Sequence, residues 1–254
     1  MNQSRRLFIG GNWKSNGTLK LANELVTSLQ TCEYNTDRCE VVVAPTFIHL
    51  STVQSLLNNS SIIVSAQNVS STGDGAFTGE ISAQQLVDLG IQWTIIGHSE
   101  RRHLFNETNE IVGKKVGLAQ KAGLKVIACI GETLDQRTAN QTQEVCFAQL
   151  DAIAKNVTNW DNIVIAYEPV WAIGTGKTAT SDQIQPFHAE LREWISKNVG
   201  EAQSQSIRII YGGSVTDQNC NELIALADVD GFLVGGASLK PQFNKIISSS
   251  LLKN

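Results

Sequence analysis

A carboxylate, an imidazole and an ammonium group each come after a short apolar run in this chain. Glu168 comes directly after Ile163–Tyr167, His98 just after Trp93–Ile96, and Lys14 just past Leu7–Gly11. A carboxylate at the end of a buried run is partly desolvated, which suits a general base. His98 opens the polar turn Ser99-Glu100-Arg101-Arg102. At a helix start the partial positive charge favours the uncharged ring, which can donate its N–H to a carbonyl oxygen. Lys14 would offer positive charge to an anionic substrate and to a developing enolate. Taken singly, each residue has an ordinary reading as a solvated or structural side chain. The other histidines, His49, His103 and His188, keep that reading.

The segment after Glu168 argues for chemistry. Pro169, Val170, Trp171, Ala172, Ile173, Gly174, Thr175, Gly176 and Lys177 form a connection longer than the usual two to six residues. It has a stiff start, a Gly-rich tip and a capping box after it (Thr180 to Gln183), as a hinged lid would. Gly176-Lys177-Thr178 imitates the end of a nucleotide phosphate loop. That motif needs a glycine where Trp171 stands, so nucleotide binding is rejected. Gly212-Gly213-Ser214 and Gly235-Gly236 are turns whose backbone N–H groups can approach a phosphate.

The elements that must position these residues alternate regularly. Eight strand candidates are Leu7–Gly11, Val41–Ala44, Ile62–Ala66, Trp93–Ile96, Val126–Ile130, Ile163–Tyr167, Ile207–Tyr211 and Gly231–Val234. Most lack polar alternation, as strands buried on both faces do. Eight helical stretches lie between and after them: Leu19–Leu29, Phe47–Leu57, Ser82–Leu89, Glu110–Ala122, Glu144–Ile153, Ile184–Val199, Asn219–Ala227 and Phe243–Leu252. This count predicts α/β architecture, a single (β/α)8 barrel over residues 1–254. A doubly wound sheet is the rival, but the turn after the first strand lacks the G-x-G-x-x-G spacing. In a barrel, the chemistry-bearing residues all fall at C-terminal strand ends, where barrel enzymes work.

Hydrophobic residues make up 42% and charged residues 17%, enough apolar surface for a core. The formal net charge of -4 argues against a nucleic-acid surface, and a small anion needs a local positive site. No apolar run reaches the length of a signal core or a membrane span, so the expected location is cytoplasmic. The cysteines, Cys32, Cys39, Cys129, Cys146 and Cys220, have neither disulfide nor zinc spacing and read as small hydrophobes or surface thiols.

The segments GNWK, AQNV, GAFTGE, GHSERR, CIGE, AYEPVWAIGTGK, YGGSV and DGFLVGGASL resemble the triosephosphate isomerase family, in order and across essentially the whole chain. The resemblance implies reversible conversion of dihydroxyacetone phosphate into D-glyceraldehyde 3-phosphate, in glycolysis and gluconeogenesis, with no cofactor and no metal. It implies Glu168 as the proton-transferring base, His98 as the carbonyl polariser, Lys14 as the stabiliser of the negative intermediate, Asn12 as its orienter and Glu100 as the partner of Lys14. Pro169 to Lys177 would be the lid. Gly174, Ser214, Gly235 and Gly236 would bind the phosphate, with Ile173 and Leu233 as an apolar clamp that desolvates Glu168. The family also implies a homodimer, with contacts at Ser15, Phe77 and Thr78 and a cross-subunit pair of Glu80 and Arg101. Ser15 is a departure, since many members carry a larger or sulfur-containing residue there. An aldolase would need a lysine inside the barrel at a strand end, where strand 6 offers Glu168 instead. A binding scaffold without activity would be expected to lack Lys14, His98 or Glu168, and all three are present.

Overall fold

The computed structural model describes residues 5–173 and 178–253. Eight parallel strands close into a barrel in sequence order: β1 (Leu7–Asn12), β2 (Cys39–Ala44), β3 (Ile63–Ala66), β4 (Trp93–Ile96), β5 (Lys125–Ile130), β6 (Ile163–Tyr167), β7 (Arg208–Tyr211) and β8 (Gly231–Val234). The eight expected strands are all there, with ends shifted by at most two residues. The ring closes where β1 pairs with β8, in the register Phe8–Gly231 to Gly11–Val234.

The barrel has two apolar layers. Along β5, Ile127 and Cys129 point into the barrel, while Val126, Ala128 and Ile130 pack outward against helices. Side chains alternate faces with a period of two, but both faces are apolar. That is why the strands read as unbroken hydrophobic runs. The N-terminal end is plugged by polar groups. Arg208 pairs with Glu40 at 2.6 Å, Trp93 Nε1 donates to Glu40 at 3.0 Å, and the Arg208 guanidinium lies 5.2 Å from the Phe8 ring centre. The C-terminal end is left open.

The described helices are α1 (Leu19–Leu29), α2 (Leu50–Leu56), α3 (Ala83–Asp88), α4 (Ser99–Leu104), α5 (Asn109–Ala122), α6 (Leu134–Thr138), α7 (Thr142–Ala154), α8 (Ser181–Asn198), α9 (Glu201–Ser206), α10 (Cys220–Ile224) and α11 (Phe243–Ser248). The expected helix 47–57 begins as a 3-10 turn, Phe47–His49, and the last one ends as another, Ser249–Leu252. The expected helix 219–227 stops at Ile224. α6 and α9 were not foreseen. α6 forms because Thr133 and Gln136 make a capping box, and its single turn is too short for apolar periodicity to mark. The capping contact expected before α8 is present, with the Thr180 N–H donating to Gln183 Oε1 at 3.0 Å.

α8 is tied to the barrel by His188 and Arg192, both buried. Arg192 bonds Asp228 and Asp230 at 2.8 Å each, and His188 Nδ1 lies 3.0 Å from the Asp228 carbonyl oxygen. Burial pushes the His188 imidazole down to about 4 from an ordinary 6.5. Below pH 6.5 the unfolded chain therefore binds a proton that the folded chain refuses. Stability is full above pH 6.5 and falls as pH drops toward 4, by about 3 kcal/mol from this group. His188→Asn is expected to flatten urea-unfolding free energy against pH between 4 and 6.5, relative to the parent. An unaltered slope would remove His188 from the acid sensitivity.

Candidate active site

The turn after β4 places His98. Gly97 has φ +75, and a Cβ there would lie 2.9 Å from Val112 Cγ1. Only glycine fits that bend comfortably. Arg102 locks it by donating to the Gly97 carbonyl at 2.8 Å and to the Cys129 carbonyl of β5 at 3.1 Å. His98 then caps α4, its Nδ1 accepting from the Glu100 N–H at 3.2 Å. An accepting Nδ1 carries a lone pair, so the ring is neutral with its hydrogen on Nε2. Nε2 lies 3.3 Å from Glu168 Oε1.

Glu168 leaves β6 with its backbone fixed on both sides. Its N–H donates to the Ile130 carbonyl at 2.7 Å, and Gly212 N–H donates to the Tyr167 carbonyl at 2.7 Å. A Cβ on Gly131 would fall 1.8 Å from the Glu168 carbonyl oxygen, and one on Gly212 would fall 2.8 Å from Glu168 Cγ. The carboxylate is 1% exposed, and Oε2 accepts the Ser99 N–H at the start of α4 at 3.0 Å. No lysine or arginine forms an ion pair with it among the described residues. The buried carboxylate is held by a backbone N–H, the local field of a helix start and a neutral imidazole, with the Cys129 thiol and the Arg102 guanidinium close enough to interact with it.

Lys14 has φ 52, a left-handed conformation unusual for a residue with a side chain. Its surroundings hold that strain in place. Its N–H donates to Asn12 Oδ1 at 3.0 Å, and its carbonyl accepts from Gln67 Nε2 at 2.7 Å. The ammonium meets Glu100 Oε1 at 2.5 Å. Asn12, Lys14, His98, Glu168, Ile173, Ser214, Leu233, Gly235 and Gly236 all line one cavity of about 320 Å³ at the open end of the barrel. Glu100 is linked to that wall through Lys14. Gly212, Gly213, Val215, Thr216, Ala237 and Lys240 complete the lining. The cavity is small, and its charged lining is Lys14, Glu168 and Lys240.

The first half of the expected lid is a 3-10 turn, Val170–Ala172, entered through Pro169. Gly174, Thr175, Gly176 and Lys177 lie outside the described residues. Glu132, after β5, was missed by the sequence reading and anchors the turn that opens the expected lid. It is fully buried, and its carboxylate accepts from Tyr167 OH at 3.1 Å, Trp171 Nε1 at 3.0 Å and Arg137 at 3.1 Å. Its signal was available. It stands at a strand's C-terminal end, two residues beyond β5, in the segment Cys129-Ile130-Gly131-Glu132. Lys240 was also missed; it lies several residues beyond β8.

Among the cysteines, burial raises Cys129 first, and the nearby Glu168 charge raises it further. Cys220 is raised by burial as well. Both stay protonated thiols and poor nucleophiles. The residues read as subunit contacts do not line the cavity. Ser15, Phe77, Thr78 and Glu80 are exposed in the isolated chain. Within one chain Arg101 pairs with Glu107 at 2.6 Å, and Glu80 accepts from Ser70.

A family model described as triosephosphate isomerase matches residues 7–250. The chain is 54% identical over 251 residues to the cytosolic triosephosphate isomerase of Oryza sativa subsp. japonica, covering 98% of this chain and 99% of that protein. It is also 54% identical over 250 residues to the chloroplastic triosephosphate isomerase of Secale cereale, covering 98% and 83%.

The His98 geometry has its own spectroscopic consequence. Nitrogen-15 NMR of labelled protein is expected to show one pyridine-type ring nitrogen, Nδ1, and one protonated nitrogen, Nε2. Two protonated nitrogens would contradict the hydrogen bond from Glu100.

Proposed function

This chain belongs to the triosephosphate isomerase family, and from that membership and the mouth's geometry we propose that it interconverts dihydroxyacetone phosphate and D-glyceraldehyde 3-phosphate, a step of glycolysis and gluconeogenesis. The observation that carries the reading is the 3.3 Å approach of His98 Nε2 to Glu168 Oε1 on a wall shared with Lys14. A base beside a neutral proton donor, with an ammonium close by, is the set an enolisation needs.

Glu168 takes the proton from the carbon next to the carbonyl. The electron pair moves toward the carbonyl oxygen, which receives a hydrogen bond from His98 Nε2–H. The resulting enediolate carries its negative charge near Lys14, oriented by Asn12. His98 then shuttles a proton between the two oxygens, and protonated Glu168 returns its proton to the neighbouring carbon. Glu100 holds the Lys14 ammonium. To reach carbon, the carboxylate must turn away from the Ser99 N–H. The backbone N–H groups of Ser214, Gly235 and Gly236 bind the phosphate, with Gly174 from the lid. Ile173 and Leu233 exclude water from the base, which strengthens it and protects the intermediate from losing phosphate.

We also infer a homodimer. Ile48, Phe77, Leu104 and Phe105 are exposed apolar side chains, 47% to 84% accessible. A groove of about 370 Å³ lies between Phe47, Arg101, Phe105 and Lys115, and buried Glu107 Oε2 there has no hydrogen-bond partner among the described residues. The loop 70–79 of a second copy, with Thr78 at its end, suits that groove. Glu80 and Arg101 both border it. The small Ser15 leaves less apolar contact at such an interface. We place the protein in the cytosol, the location of one relative and a reducing compartment that suits its free thiols; imaging of a tagged chain tests this against the chloroplast location of the other relative.

Purified protein at micromolar concentration should consume glyceraldehyde 3-phosphate in a coupled assay, and no turnover would overturn the assignment. Glu168→Asp should slow kcat by about a hundredfold or more, because the carboxylate retreats by one methylene. Its inhibition by inorganic phosphate should stay close to the parent's. Phe77→Asp should shift sedimentation from dimer to monomer at micromolar concentration. A parent that already sediments as monomer would refute the pairing.

A further inference from the structure

The mouth must draw a phosphate ester into a protein whose formal net charge is -4. Lys14 is the obvious attractor, but its ammonium is held at 2.5 Å by Glu100, so the pair presents little net charge to the solvent. Glu168 adds a negative charge to the wall, and the His98 ring is neutral by its hydrogen bond from Glu100. Without Lys240, the Lys14 and Glu168 charges of the lining cancel, and Glu100 behind Lys14 leaves the cluster with one net negative charge that repels an anion. Lys240 changes that balance. It lines the same cavity, its side chain is exposed, and no carboxylate pairs with it among the described residues. Local sequence fixes its position. Its backbone closes the 3-10 turn Gly236–Leu239 with an N–H to the Ala237 carbonyl at 3.2 Å. Its φ of -134 and ψ of 155 are the extended values that the adjoining Pro241 enforces.

We propose that Lys240 is the substrate-capture cation of this site, a rim charge that draws the phosphate toward the glycine turns after β7 and β8 without gripping it. An exposed charge acts through the field at the cavity entrance, where low-dielectric walls focus it. It stays in water, so binding costs it no desolvation. The proposal rests on the isomerase reading.

The test is kcat/KM of the parent, Lys240→Gln and Lys240→Glu across ionic strength, with Lys245→Gln as a control for net charge alone. Lys245 is exposed, lies 4.0 Å from Asp217 and does not line the cavity. At about 10 mM ionic strength, Lys240→Gln should lose roughly three- to tenfold in kcat/KM, and Lys240→Glu more. Near 0.3 M the loss should shrink to within about twofold, because the screening length is then only several ångströms. Lys245→Gln should stay within about twofold at every salt concentration. A loss that persists at high salt overturns the proposal by placing Lys240 in direct contact with substrate. An equal loss in Lys245→Gln overturns it by making the effect one of net charge. An inactive parent fails the isomerase reading itself, whereas an active parent with a salt-insensitive Lys240→Gln fails only this inference.

Discussion

Closure of the barrel at β1 and β8 is the constraint on which the site depends. A strand left at an edge would expose unpaired backbone groups, and closing the ring removes both edges. The join is tight. Gly231 has φ +139, and a Cβ there would fall 1.8 Å from the Phe8 carbonyl oxygen. No side chain can stand at that position while the strands pair. The same register, carried forward to Gly11 and Val234, sets what meets at the open end. A Cβ on Gly235 would lie 3.5 Å from Lys14 Cε. Two segments from opposite ends of the chain are thus brought together by one hydrogen-bonded ladder, an ammonium on one and bare backbone on the other.

One short helix arranges the opposite wall. The start of α4 supplies His98 as its cap, the Glu100 N–H that sets the ring's tautomer, the Ser99 N–H that holds the Glu168 carboxylate, and the Glu100 side chain that holds Lys14. A buried carboxylate without a direct ion pair is costly; a charge-assisted bond to a helix start and the nearby Arg102 charge offset part of that cost. A lysine or arginine against Glu168 would offset more, but would neutralise the group. Charge is therefore distributed so that the carboxylate at the wall remains unpaired while the ammonium has its partner.

The fold was legible because burial on both faces writes itself into composition. β2, β5 and β6 are almost wholly apolar, and no other element gives that pattern at that length. The strand ends then pointed to Glu168, His98, Lys14 and the two glycine turns, which the structure brings to one cavity. Other features depend on contacts that local sequence does not mark. The left-handed Lys14 is invisible because lysine is not a residue that signals positive φ. α6 and α9 are too short to show a period. Lys240 reads as an ordinary solvated lysine until β8 is seen to carry it back to the mouth.

Glu132 shows why position alone undersells such a residue. Its partners, Tyr167 and Trp171, stand 35 and 39 residues away. Tyr167 is the residue before Glu168, and Trp171 is in the first turn of the lid. One buried carboxylate therefore fixes both the end of the strand that leads into Glu168 and the turn Val170–Ala172 that follows it. Hydrogen bonds to a charged group contribute about 1.5–3 kcal/mol each, and the Arg137 guanidinium, 4.8 Å from the Trp171 ring centre, adds a cation–π contact. Turning Trp171 away from this position would cost both contacts. The end of β6 next to Glu168 and the turn Val170–Ala172 are therefore held by the same side chain.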